Sequence, residues 1–76
     1  MKNVVVYSSD TCPYCTAVKN FLGQNNVNFE EKNITTSVEA RNELIQKGHR
    51  GVPVIVVDGE EVLGFDQARL TSLLGL

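Results

Sequence analysis

The sequence has few of the features that mark membrane, exported or metal-rich proteins. Its 76 residues include no tryptophan, one methionine, one histidine, two prolines and two cysteines. Apolar runs such as Val4-Val5-Val6-Tyr7 are far shorter than the roughly 20 residues of a membrane span and shorter than a secretion-signal core. We therefore expect no membrane association and a cytoplasmic location, where thiols are kept reduced.

The sequence also lacks an excess of charge of either sign. Seven Lys and Arg against nine Asp and Glu give a net charge of -2, and the basic residues are spread along the chain. This distribution is not that of a nucleic-acid-binding surface. An apolar fraction of 42% predicts a folded chain, and its length allows one small domain over residues 1–76. With no obvious exposed apolar stripe, a monomer is expected.

The first half of the sequence predicts a strand, a helix and a second strand. The β-branched and aromatic run Val4–Tyr7 is typical of a strand buried on both faces. Gly23 and the Asn25-Asn26 pair predict the end of the helix that follows. A second strand is predicted over residues 27–32. The helix is indicated by apolar residues at helical spacing, namely Tyr14, Ala17, Val18, Phe21 and Leu22.

The second half predicts a helix, a hairpin and a last helix. Thr36 and Glu39 resemble a capping box, and helical spacing continues through Val38, Arg41, Leu44 and Ile45 to Gly48. The apolar run 54–57 and the segment Glu61-Val62-Leu63 stand on either side of Asp58-Gly59, which is typical of a tight hairpin turn. Asp66 is predicted to cap a final helix with Leu70, Leu73 and Leu74 on its apolar face.

The predicted order is β-α-β-α-β-β-α. A strand-helix-strand start requires a right-handed crossover between parallel strands, whereas the hairpin adds antiparallel ones. We therefore expect an α/β fold with a central four-stranded mixed sheet flanked by three helices.

Both cysteines lie in the segment Thr11-Cys12-Pro13-Tyr14-Cys15, where the first strand gives way to the first helix. Proline is favoured at the first helical position. Unpaired backbone N–H groups and the helix dipole favour a thiolate over a thiol at Cys12. Cys15, nearly one turn later, stays within reach. We infer that Cys12 attacks a disulfide and that Cys15 resolves the mixed disulfide.

Two other uses of a Cys-x-x-Cys pair remain open from the residues. A zinc site needs two more ligands, and the chain offers only His49 and carboxylates. A static disulfide is uncommon in a reducing compartment. We expect redox chemistry and no metal.

The sequence resembles the glutaredoxins of the thioredoxin-fold superfamily. The resemblance covers nearly all of the chain and rests on Cys12-Pro13-Tyr14-Cys15 after the first strand, on Val52-Pro53 before the third, and on Gly64-Phe65-Asp66 after the hairpin. It implies the thioredoxin-like fold and a glutathione-linked thiol-disulfide oxidoreductase, with glutathione as cosubstrate and disulfide-containing proteins as partners.

The resemblance also implies roles for residues around the cysteines. Pro53 would follow a cis peptide bond and face Cys12, so that the backbone of Val52 pairs with a bound thiol peptide. Tyr14 would line the mouth of the glutathione groove. Gly64, Phe65 and Asp66 would offer backbone N–H groups and an acid to the γ-glutamyl end of glutathione. Arg50, and less directly Lys19 and Lys47, would be cationic partners for its carboxylates. Apart from the resemblance, His49 is a candidate pH-sensitive neighbour of the site, with a simply exposed loop histidine as the alternative.

Several positions depart from the usual glutaredoxin pattern. Gly51 replaces the common Thr or Ser before Val-Pro, Leu63-Gly64-Phe65 replaces a pair of glycines, and Asp66-Gln67 replaces Asp-Asp. Ser8-Ser9-Asp10 stands where a lysine commonly helps to bind glutathione, and Asp10 would oppose a nearby thiolate.

These departures leave a second electron donor open. Glutaredoxin-like redoxins that serve ribonucleotide reductase take electrons from thioredoxin reductase, and the single Gly64-Phe65 favours that alternative. An iron–sulfur cluster carrier is a third hypothesis, although its relatives commonly have a single cysteine followed by Gly-Phe-Ser.

Overall fold

The structure, a computed structural model, describes residues 3–76, which form four strands and three helices in the predicted order. Met1 and Lys2 lie outside the described residues. The strands are β1 (Val4–Ser8), β2 (Glu30–Asn33), β3 (Val54–Val57) and β4 (Glu60–Leu63). The helices are α1 (Pro13–Gln24), α2 (Val38–Gln46) and α3 (Gln67–Leu74).

The strands form one mixed sheet in the order β2-β1-β3-β4. β1 pairs in parallel with β2 and antiparallel with β3, which pairs antiparallel with β4. The predicted four-stranded mixed sheet is therefore confirmed. Because β1 is an interior strand, the loop that follows it, which carries Cys12, leaves the sheet near its middle.

The helices cover both faces of the sheet, as predicted. Alternate residues of β1 point to opposite faces: Val6 lies in a core with Val18 of α1 and Leu70 of α3, whereas Tyr7 lies in a core with Leu44 of α2. Burying each such side chain contributes about 1.5–3 kcal/mol. The first of these cores fixes α1, and with it the cysteine pair, on the sheet.

The second strand differs from the prediction of 27–32. It runs from Glu30 to Asn33, and Val27 and Phe29 pack against the core from the segment before it. As an edge strand, β2 pairs only with β1 and has no apolar residue of its own. Val27 and Phe29 therefore lie just before the strand and not in it. The strand itself is defined by its backbone pairing with β1.

The helix boundaries and faces also differ in detail. The predicted end of α1 at the Asn25-Asn26 pair is confirmed, since Asn25 is the cap, but the helix passes through Gly23 and continues to Gln24. The cap of α2 is Ser37, whose hydroxyl accepts from the N–H of Ala40 at 3.2 Å, so the predicted box at Thr36 is wrong by one residue. Three residues placed on apolar faces by spacing are largely exposed: Tyr14, Val38 and Ile45.

The hairpin and the last helix have the predicted form. Asp58 and Gly59 both adopt positive φ (49° and 89°), which matches the twist of a two-residue hairpin turn. Asp66 caps α3, and its carboxylate accepts from the N–H of Arg69 at 3.1 Å. The hairpin and α3 together bring the segment 64–66 to the end of the sheet near Pro53, whose carbonyl accepts from the N–H of Gly64 at 2.9 Å.

Candidate active site

Cys12 is the N-cap of α1, and Pro13 is its first helical residue. The Cys12 Sγ accepts a hydrogen bond from the backbone N–H of Cys15 at 3.1 Å. This bond and the dipole of α1 favour negative charge on the sulfur. Because Cys12 is only partly buried, its sulfur can meet a disulfide from outside.

Cys15 lies behind Cys12 and is completely buried. Burial, followed by the hydrogen bond with the Cys12 side chain, raises the pKa of Cys15 from 9.0 to about 12. The backbone N–H of Ser9 and the charge of Lys19 act in the opposite direction. The two free thiols are therefore chemically unequal, with an accessible sulfur in front and a protonated one behind it.

The Val52-Pro53 segment faces this pair. The peptide bond between the two residues is cis, as the family resemblance implied. The Cys12 thiol lies within hydrogen-bonding reach of the Val52 carbonyl, with 3.7 Å between sulfur and oxygen. Pro53 is buried, whereas Val52 is partly exposed. A cavity of about 310 Å³ extends from these two residues to Arg50, Leu63 and Gly64.

A second cavity of about 320 Å³ begins at the same loop and runs along α2. It is lined by the apolar side chains of Ile34, Leu44 and Ile45 and by the cationic side chains of Arg41 and Arg50. Arg41 had no predicted role, although a charged residue within an apolar helical stripe was a usable signal. Arg50 lines both cavities and Arg41 lines the second, so two guanidinium groups border this pair of cavities.

The segment after the hairpin lies at the far end of the first cavity. Gly64 adopts a φ of 74° and lines that cavity, and Asp66 is exposed at the start of α3. The ring of Phe65 turns inward and meets Phe21 edge to face, with 5.8 Å between centroids. Phe65 can therefore contribute its backbone to the cavity side, while its side chain stabilises the core.

The other polar residues named from the sequence have side-chain partners. Lys19 Nζ lies 2.8 Å from Glu31 Oε2, and Lys47 Nζ lies 3.9 Å from Glu61 Oε2. The Nε2 of His49 is 2.9 Å from Glu61 Oε1. The Asp10 carboxylate accepts from the side-chain amide of Asn33 at 2.7 Å. Tyr14, on the first turn of α1 beside Cys12, is 67% exposed.

Across residues 3–76, no three His, Cys, Asp or Glu side chains come together as a ligand group for a metal ion. Over the same residues, no helix is both long and apolar enough to cross a bilayer.

Comparison with known proteins gives consistent matches along the chain. The glutaredoxin family model matches residues 4–62. Glutaredoxin 3 of Escherichia coli is 37% identical over 67 residues, covering 87% of this chain and 81% of that protein. The glutaredoxin-like protein NrdH of Lactococcus lactis is 36% identical over 70 residues, covering 92% and 97%. A crystal structure of a mutant of the thioredoxin-like protein BC3987 has a TM-score of 0.91 at 41% identity, covering 99% and 97% of the two chains.

Proposed function

Because the chain belongs to the glutaredoxin family, we propose that it is a thiol-disulfide oxidoreductase that reduces protein disulfides and glutathione mixed disulfides through Cys12 and Cys15. The observation that carries the proposal is the inequality of the two sulfurs. Cys12 is partly exposed and accepts the N–H of Cys15 at 3.1 Å, whereas Cys15 is buried with a raised pKa. Cys12 is thus the nucleophile and Cys15 the resolving thiol.

The reaction proceeds by two exchanges at sulfur. The Cys12 thiolate attacks one sulfur of the substrate disulfide, a Cys12–substrate S–S bond forms, and the first product leaves as a thiolate that takes up a proton. Cys15 then loses its proton and attacks the Cys12 sulfur. The second product leaves, and a Cys12–Cys15 disulfide remains. Two electrons have passed from the protein dithiol to the substrate.

We propose that two molecules of glutathione return the protein to the dithiol state and leave as glutathione disulfide. The support for glutathione is the chemistry of the two cavities. Arg41 and Arg50 provide guanidinium groups for carboxylates, and Val52 offers its backbone beside Cys12. The N-terminus of α3 with Gly64, Phe65 and Asp66 suits the γ-glutamyl end, and Tyr14 is exposed beside Cys12 on the first turn of α1. The cytoplasm, with its glutathione pool, is the fitting compartment.

The alternative donor is thioredoxin reductase, with ribonucleotide reductase as the recipient of electrons. The observation that favours it is the charge of the segment before Cys12. Asp10 lies there in place of a cation, and its carboxylate accepts a hydrogen bond from Asn33. The cationic side chains that line the two cavities come instead from α2 and the loop after it. The identity to NrdH of L. lactis, 36%, is also close to the 37% identity to glutaredoxin 3.

The test is turnover of a glutathione mixed disulfide with each donor system in turn. Glutathione with glutathione reductase should sustain turnover. In that assay Arg50→Gln and Arg41→Gln should each raise the KM for glutathione about threefold to tenfold with little change in kcat. Arg69→Gln is the matched control, since the Arg69 side chain is exposed, lies 3.9 Å from Glu60 and lines neither cavity. If turnover occurred only with thioredoxin reductase, the electron donor would be thioredoxin reductase and not glutathione.

A further inference from the structure

An ion pair lies on the α1 side of the sheet, and its lysine follows the buried Cys15 by about one helical turn. Lys19 Nζ is 2.8 Å from Glu31 Oε2, and the same oxygen accepts the hydroxyl of Ser8 at 2.7 Å. Ser8 is fully buried at the end of β1. Building on the proposed dithiol function, we propose that the ammonium group of Lys19, held in place by Glu31, is a positioning residue for the resolving step and favours the Cys15 thiolate as it forms.

The helical spacing places Lys19 beside Cys15. The two residues are four apart in α1, and side chains at that spacing lie on the same face, about 5–6 Å apart at Cβ. A free lysine side chain would swing into solvent and contribute little. Here Glu31 on β2 anchors the ammonium group, and Ser8 in turn fixes the Glu31 carboxylate. The cation is therefore kept on the side of the helix that faces the sheet.

The balance of charges around Cys15 changes during the reaction. In the reduced protein, burial and the interaction with Cys12 raise the pKa of Cys15, while the N–H of Ser9 and the charge of Lys19 lower it. Once the Cys12 sulfur is bonded to substrate, it is neutral and no longer repels a second thiolate. At that point burial disfavours the Cys15 thiolate, and the N–H of Ser9 and the charge of Lys19 favour it. Lys19 is the one of these that carries a full charge.

The neighbouring groups leave this role to Lys19. The remaining side chains of the core on this face, from β3, β4 and α3, are apolar. Asp10, in the loop after β1, is bound to Asn33. Hydrogen bonds with Lys19 and then Ser8 lower the pKa of Glu31. Glu31 thus stays ionised as an anchor and is a poor acceptor for the Cys15 proton, which passes to water.

The experiment separates attack from resolution in single-turnover stopped flow. Reduced protein is mixed with a symmetric aryl disulfide whose released thiolate is coloured. Attack by Cys12 releases the first thiolate, and resolution by Cys15 releases the second. Lys19→Met removes the charge, and Lys19→Arg restores it. Lys32→Met is the matched control: Lys32 pairs with Glu43 at 2.9 Å and is 28% exposed, against 2.8 Å and 30% for Lys19, but lies on the α2 side.

We expect Lys19→Met to slow the second release about threefold to tenfold at neutral pH. Its pH profile should move to higher pH, while the first release stays as in the wild type. Lys19→Arg and Lys32→Met should resemble the wild type in both phases. If the second thiolate were released at the same rate in Lys19→Met and Lys32→Met, the proposed role of Lys19 would be overturned. If the wild type itself gave no second release, the dithiol function would fail instead.

Discussion

Alkylation at neutral pH should separate the two cysteines of the folded, reduced protein. Burial and the hydrogen bond with Cys12 raise the pKa of Cys15 from 9.0 to about 12. Since each pH unit changes the ionised fraction tenfold, the thiolate of Cys15 should be about a thousandfold scarcer than that of an ordinary cysteine. Complete burial also keeps the reagent away. Cys15 should therefore react at least about a thousandfold more slowly than in the unfolded chain.

The assay is a time course with iodoacetamide, read by peptide mass spectrometry. Protein unfolded in urea at the same pH gives the reference rate for Cys15. The Cys12→Ser variant is examined in parallel, because it removes the thiol in front without opening the core. Burial alone should still protect Cys15 there. Modification of folded Cys15 within about tenfold of the unfolded rate would refute both the burial and the electrostatic argument.

The remaining predictions concern stability, measured by urea denaturation. Leu22→Ala, in the core under α1, should cost about 2–5 kcal/mol, whereas a change of more than about 1 kcal/mol in the exposed control Ile45→Ala would contradict the assigned faces. Gly59→Ala should lower the free energy of unfolding by about 1 kcal/mol or more because φ at Gly59 is 89°. Gly23→Ala, in open space within α1, should raise it by about 0.5–1 kcal/mol. Equal effects of the two substitutions would be inconsistent with the turn geometry. Glu31→Gln should cost about 0.5–1 kcal/mol at neutral pH. Because folding lowers the Glu31 pKa from 4.5, this difference should persist above that value and vanish as pH falls through the folded-state pKa; a difference that grew with acidity would have the wrong sign.

The sequence predicted those elements whose pattern reflects burial or turn chemistry. Val4–Tyr7 is apolar throughout because β1 is covered on both faces, and Asp58-Gly59 matches the positive φ values of the hairpin. The edge strand β2 was misplaced, because its residues are polar and only pairing with β1 identifies it. The cap of α2 was misassigned because Thr36 and Ser37 are adjacent hydroxyl residues, and the choice between them depends on backbone direction.

The residues of the candidate site also divide into those that a local motif identifies and those that only the folded structure brings together. Cys12 and Cys15 were identifiable because a local motif sets their spacing and their place at the start of α1. The cis bond before Pro53 was available only through family resemblance. Lys19 was predicted only as a cationic partner for glutathione. Arg41 and the hydrogen-bonded network of Ser8, Lys19 and Glu31 were not predicted, since packing of the helices and strands, rather than nearness in sequence, brings these residues into place.

The central claim is that Cys12 attacks and Cys15 resolves. The most direct measurement is to react the Cys15→Ser variant and the wild type with glutathione disulfide and to map the products by mass spectrometry without reductant. The account predicts that one glutathione accumulates on Cys12 of the variant, whereas the wild type proceeds to a Cys12–Cys15 disulfide and releases its glutathione. A variant that carried no adduct on Cys12, or a wild type that kept the adduct as long as the variant, would contradict it.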